Sequence, residues 1–153
     1  MIQRAQSYHL KDLVRLAQKY YAESPYAATH QFDENKILDT LRRGMIYPVV
    51  EIAVAERDNK TVGGAVAYLS EYSWCHGTRC NMEFFYVDPE YRGHGLAEGL
   101  LEHCMAWGRQ MGALEFTAGD IGLRPKLTQR FFEQNGLSDD GVVLRKVFNE
   151  TLV

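Results

Sequence analysis

The spacing of apolar positions changes several times along the chain, and each change marks an element. "MIQRAQ" alternates as a short strand does. In "HLKDLVRLAQKYYAES", Leu10, Leu13, Leu16, Ala17 and Tyr20 recur at helical spacing, and Pro25 closes the segment. "FDENKILDTLRRGM" predicts a second helix with Phe32, Ile37, Leu38 and Leu41 inward, Asp33 as its cap and Gly44 as its stop. The pattern then turns to strands. "VVEIAVAERD" and "VGGAVAYLSEY" flank Asp58-Asn59-Lys60, a polar turn of hairpin type, and "NMEFFYV" follows as an aromatic-rich strand. A helix opens near residue 93, with Leu96, Leu100, Cys104, Trp107 and Met111 as its buried face. "ALEFTAG" predicts a strand in a β-α-β arrangement, "PKLTQRFFEQNG" a last helix and "GVVLRKVF" an edge strand.

No internal repeat, low-complexity stretch or linker interrupts this alternation. It describes a single α/β or α+β domain over residues 1–153 with a mixed, largely antiparallel sheet. A chain of 153 residues can bury a real core, and 46% hydrophobic with 24% charged residues is the balance of a soluble globular protein. A net charge of −3 argues against a general nucleic-acid binder. No apolar run approaches the roughly 18 residues a membrane span needs. The opening "MIQRAQSYHLKDLVRL" has no apolar signal core, so a cytoplasmic protein without membrane association is expected. Cys75, Cys80 and Cys104 are odd in number and lack metal-type spacing, which reads as reduced thiols in that compartment. The histidines show no ligand pattern either, so no metal is expected. A homodimer is left open.

The stretch "YVDPEYRGHGLAEGLLEHCMAWG" is where chemistry enters. A helix starts here without a Ser or Thr cap, behind Arg92-Gly93-His94-Gly95. The first turn of a helix leaves backbone N–H groups unpartnered, and the helix dipole adds partial positive charge there. Without Cβ atoms at Gly93 and Gly95, a phosphate can approach the amides of His94, Gly95, Leu96 and Ala97 closely, with Arg92 adding charge. The blander reading is a tight turn that binds nothing. The chain contains no GxxxxGK[ST], and Gly93, Gly95 and Gly99 have the wrong spacing for GxGxxG.

Arg92, Gly95 and Ala97 instead fit Arg-x-x-Gly-x-Ala, and the stretch "FFYVDPEYRGHGLAEGLLEHCMAWGRQMGA" resembles the acyl-CoA-binding motif of the GCN5-related N-acetyltransferase (GNAT) superfamily. Val87, Pro89, Tyr91, Arg92, Gly93 and Gly95 occupy the motif's places, and Leu100-Leu101 its leucine pair. "FFEQNGL" is similar to the family's late F-Y-E-x-x-G-F segment. The resemblance implies a GNAT-like domain in which the two central parallel strands, "NMEFFYV" and "ALEFTAG", splay apart. It implies acetyl-CoA as cosubstrate, with the pyrophosphate on the amides of residues 93 to 97 and the pantetheine arm along the backbone of Phe85, Tyr86 and Val87. Phe132 would then lie near the sulfur. The implied activity is acetyl transfer from acetyl-CoA to a primary amine by direct attack in a ternary complex. The acceptor is a small-molecule or peptide amine of unspecified identity.

Such chemistry needs a neutral amine, whereas an alkylammonium has a pKa of about 10.4. Glu83, on the same strand two residues before Phe85, is the leading candidate for the base; the alternative is a Glu that pairs structurally or faces solvent. Glu71, Asp120 and His76 are weaker candidates. Many family members carry a Tyr as general acid in the F-Y-E segment, where this chain has Phe132. Either water or another Tyr then protonates the leaving thiolate, or the chain is a non-catalytic GNAT-fold module that binds acetyl-CoA as ligand or regulator. In "SPYAATHQF", Tyr26 and His30 either line the acceptor pocket or merely cover the core.

Overall fold

The computed structural model describes residues 1–119, 125–141 and 144–148. Five strands form one sheet in chain order: β1 (Ile2–Arg4), β2 (Val50–Arg57), β3 (Lys60–Glu71), β4 (Thr78–Val87) and β5 (Glu115–Ala118). Neighbours from β1 to β4 run antiparallel, and β4 pairs β5 in parallel. The α-helices are α1 (Leu10–Glu23), α2 (Glu34–Ile46), α3 (Leu96–Gln110) and α4 (Pro125–Gln134). The chain thus forms the mixed, mostly antiparallel α/β domain expected of it. None of the described helices is long and apolar enough to cross a membrane.

Local chemistry explains the boundaries. Asp58 and Asn59 both take positive φ, near +55° and +59°, and Lys60 already pairs with Arg57, so the hairpin turn is two residues long. Asp and Asn tolerate this left-handed region, and two such residues give the turn that matches strand twist. Ser24 turns extended before Pro25 and ends α1. Asp33 caps α2 by accepting from the Lys36 amide.

The two sheet faces bury different helices. Along β2, Ile52 and Val54 meet Leu13 and Val14 of α1 and Leu41 of α2, while Ala53 and Ala55 meet α3. Small residues let the helices come close: a Cβ on Gly64 would stand 2.8 Å from Leu13 Cδ2. Leu100 and Leu101 of α3 are fully buried, at about 1.5–3 kcal/mol each. That burial anchors α3, and with it the glycine turn from which the helix starts.

Four expectations need correcting. Gly44 does not stop α2 but lies inside it, packed on Val50 and Ile52. Phe32 precedes that helix and contributes no helical face. Met111 lies just past α3 and is 41% exposed, so the buried face ends at Trp107 and Gly108. The edge strand expected over "GVVLRKVF" is not formed at Gly141 or over residues 144–148, where Leu144 and Phe148 are exposed; Val142 and Val143 lie outside the described residues. Strand propensity alone does not pair a segment that buries neither face.

Candidate active site

β4 changes partners and phase at one residue. Arg79 to Met82 pair with Glu115 to Ala118 of β5, and there β5 ends. Among the described residues, β4 then runs on through Val87 with that edge unpaired. On its other side Met82 pairs with Ala67 and Phe84 with Val66, so Glu83 is an extra, unpaired residue: a β-bulge. The bulge reverses the alternation. Before it, Cys80 and Met82 pack on the α3 side; after it, Phe85 and Val87 do, while Phe84 and Tyr86 reach Tyr20 and Glu23 of α1. Strict alternation, which would place Glu83 simply on the face of Phe85, therefore fails here. Glu83 borders a cavity on each side of the sheet.

The first cavity, about 230 Å³, lies between the free length of β4, α4 and the start of α3. Glu83, Phe85, Tyr86, Val87, Arg92, Ala97 and Phe132 all contribute to its wall. The rings of Phe85, Phe131 and Phe132 meet at centroid distances of 5.6 to 5.8 Å, and Phe132 is buried. Cavity and core packing are thus the same contact for these aromatics.

At the near end of this trough stands the glycine turn. Gly93 and Gly95 take φ of +85° and +82°, and a Cβ on either would meet no protein atom within 4 Å. Gly95 is the N-cap of α3, and no side chain caps the helix. The amides of His94, Gly95, Leu96 and Ala97 meet no acceptor among the described residues. Leu96 buries its side chain in the core, leaving only its amide for a ligand. An apolar trough that ends in unpartnered, electropositive amides fits an extended chain carrying a pyrophosphate, so the residues present fit acetyl-CoA.

Arg92, expected to add charge at the turn, is also held in place by its neighbours. Its Nε donates to the Val87 carbonyl at 2.7 Å, its Nη2 lies 3.5 Å from Glu23, and its guanidinium stacks over Tyr86 at 5.1 Å. It holds the turn to the end of β4 while still facing the cavity. Asp88, just before the turn, is held in the same manner. Its buried carboxylate accepts from Arg15 at 3.2 Å and Lys19 at 2.9 Å, both on α1.

Electrostatics separates the titratable groups. Loss of solvent pushes the Glu83 carboxyl above the ordinary range, although the side chain is open to water through the cavities. Burial, together with donation to Glu23 at 3.1 Å, pushes the Tyr86 hydroxyl up to about 12. A carboxyl beside the trough is thus shifted towards neutrality, and a nearby phenol is kept protonated.

Other candidates fall away from this place. Glu71 and His76 are exposed and line neither cavity, and Asp120 lies outside the described residues. Tyr26 and His30 pack on each other, ring to ring at 5.1 Å, and line neither cavity. Sequence reasoning missed Tyr20, Met82, Leu127 and Thr128 as cavity walls. Helical spacing marked Tyr20 as inward but could not show that inward meant towards a cavity. Nothing in the sequence signals the bulge.

The comparisons with known proteins come from the same residues and the same fold. The model of the acetyltransferase (GNAT) family matches residues 10–136. No curated protein matches the chain in sequence. Among solved structures, a transcriptional regulator from Bacillus halodurans C-125 superposes with a TM-score of 0.80 at 17% identity, covering 97% of this chain and 99% of that one. Aminoglycoside N-acetyltransferase AAC(6')-Iy in complex with CoA gives 0.78 at 17%, covering 97% and 95%. Glucosamine-6-phosphate N-acetyltransferase from Arabidopsis thaliana gives 0.76 at 16%, covering 97% and 98%. At these identities the structures speak for the fold, and the family match speaks for descent: the chain belongs to the GNAT acetyltransferase family.

Proposed function

We propose that the protein is an N-acetyltransferase that moves an acetyl group from acetyl-CoA to a primary amine within a ternary complex. The observation that carries this reading is the position of Glu83: a partly desolvated carboxylate at the bulge of β4, bordering the trough that ends at the bare start of α3. Acetyl-CoA supplies a thioester carbonyl open to attack by a neutral amine. The amides of residues 93 to 97 bind its pyrophosphate, and the free edge of β4 at Phe85, Tyr86 and Val87 aligns its pantetheine arm. A backbone N–H at Phe85 or Tyr86 donates to the carbonyl oxygen as charge develops there. Glu83 accepts the ammonium proton, directly or through a water. With Phe132 in place of a tyrosine, the leaving sulfur takes its proton from water; a thiol pKa of about 8.5 makes that sufficient. Two of the structural neighbours are named as acetyltransferases of amino sugars, which supports a small amine as acceptor.

Calorimetry with acetyl-CoA tests the binding half. Wild-type protein should bind saturably, and Gly95→Trp should not, because its side chain would occupy the open space over the amides. The far-UV circular dichroism of the variant should stay native. Equal affinity in a folded Gly95→Trp would remove the phosphate-cradle reading.

A further inference from the structure

We propose that the second cavity is the acceptor pocket and that it selects an amine carrying an apolar body, such as an arylalkylamine, over polyamines and amino sugars. The inference rests on the acetyltransferase reading and deepens it. This cavity, about 450 Å³, lies between α1, α2 and the opposite face of the sheet from α3. Its wall is largely apolar, built from residues such as Leu13, Ala17, Ile37, Leu41, Ile52 and Phe84. Cavities of about 150 Å³ already hold a benzene ring, so an aryl group with a short alkyl chain fits in this volume.

Charge decides which end goes where. Among the described residues, two charged side chains line the cavity: Glu83, shared with the coenzyme trough, and Arg43. Arg43 is an exposed cation that pairs with Asp39 at 2.9 Å. An amine therefore finds its counter-charge at Glu83, beside the trough where the thioester would lie. A second ammonium further along would meet apolar wall and then a cation. Thr40 does not change this, because its hydroxyl donates to the Lys36 carbonyl at 2.9 Å within its own helix. Sugar hydroxyls placed in this cavity would lose water and gain few partners beyond Glu83, Arg43 and the Tyr47 hydroxyl at its wall. An apolar body loses nothing by leaving water and fills the space.

The test uses phenethylamine, putrescine and kanamycin with the whole protein, in two readouts. Thiol release from acetyl-CoA should give phenethylamine a kcat/KM about 100-fold above putrescine, the scale expected from burying one ring. Thr40→Trp, at an exposed helix position on the cavity wall, should raise the KM for phenethylamine at least about tenfold, one ring's partial exclusion, while acetyl-CoA affinity stays unchanged. Putrescine or kanamycin turned over as well as phenethylamine would overturn the proposal, as would a Thr40→Trp variant with unchanged KM. Failure of the underlying reading looks different, since no thiol would then be released with any amine, whether or not acetyl-CoA binds. The cavity is then judged by direct calorimetric binding of phenethylamine: saturable binding weakened by Thr40→Trp supports it, and no binding overturns it.

Discussion

The ionised carboxylate of Glu83 works against folding through its partial loss of water, and the same loss would favour its taking up a proton if it serves as the base. Because the folded state raises its pKa, the folded protein holds the proton more tightly than the unfolded chain does. Above the ordinary carboxylate range, the ionised side chain therefore costs stability. Glu83→Gln should raise the melting temperature at pH 7, and the gain should fade in acid, where Glu83 is protonated in both states. An unchanged or lower melting temperature at pH 7 would mean that the carboxylate is paired rather than desolvated. Phe132→Tyr probes the neighbouring position, where a ring packed against Phe85 and Phe131 also borders the trough. The variant should melt within about 1 kcal/mol of wild type, as its hydroxyl can reach the cavity, and should turn over at an equal or higher rate. A clear drop in rate would show that the ring seats the coenzyme and that protonation is managed elsewhere. Phe132 was legible in the sequence through the segment "FFEQNGL", and Glu83 through its place on the strand two residues before Phe85. The orientation of Glu83 was not legible, since a bulge depends on how two strands pair and not on the residue that bulges.

At the scale of elements, α1 and the end of β4 are clasped by Asp88. Its amide donates to the Val62 carbonyl at 2.7 Å while its carboxylate takes Arg15 and Lys19 from α1. Burial alone would raise its pKa, but hydrogen bonds from Lys19 and Arg15 and their charges outweigh that and hold it low. A lowered carboxylate pKa gives stability that is present above the ordinary Asp range and lost as pH falls through the lowered value. Asp88→Asn should cost about 1–3 kcal/mol at pH 7, the range for a partly solvated charged network, and the difference should narrow in acid. Denaturant unfolding at the two pH values measures both effects; a variant equally stable at pH 7 would show the clasp to be ornamental. Sequence periodicity found α1, α3 and the central strands because each buries a regular face. It misjudged Gly44, which reads as a stop by residue type but serves as a close-packing site on Val50 and Ile52. It also gave strand character to residues 144–148, whose exposed Leu144 and Phe148 bury no face.

Over the whole molecule, the fold was legible because the local patterns of strands and helices agree on one layered arrangement. The cavities were not, because each is a gap between elements far apart in sequence: Thr40 and Phe84 line one, Tyr20 and Phe131 the other. A ligand that binds across such a gap ties those elements together and stabilises only the folded state. At a hundredfold excess over Kd, acetyl-CoA should add about 2.7 kcal/mol and raise the melting temperature by roughly 5–10 °C for a chain of this size. No shift at saturating concentration would mean that the trough binds something else. The most direct measurement of the central claim is the initial rate of free-thiol release from acetyl-CoA with saturating amine at pH 7, wild type against Glu83→Gln. With Glu83 as the base, the variant should lose roughly 10²–10⁴-fold in turnover while binding acetyl-CoA as tightly as wild type. A wild type that releases no thiol with any amine, or a variant that turns over at the wild-type rate, would contradict the account.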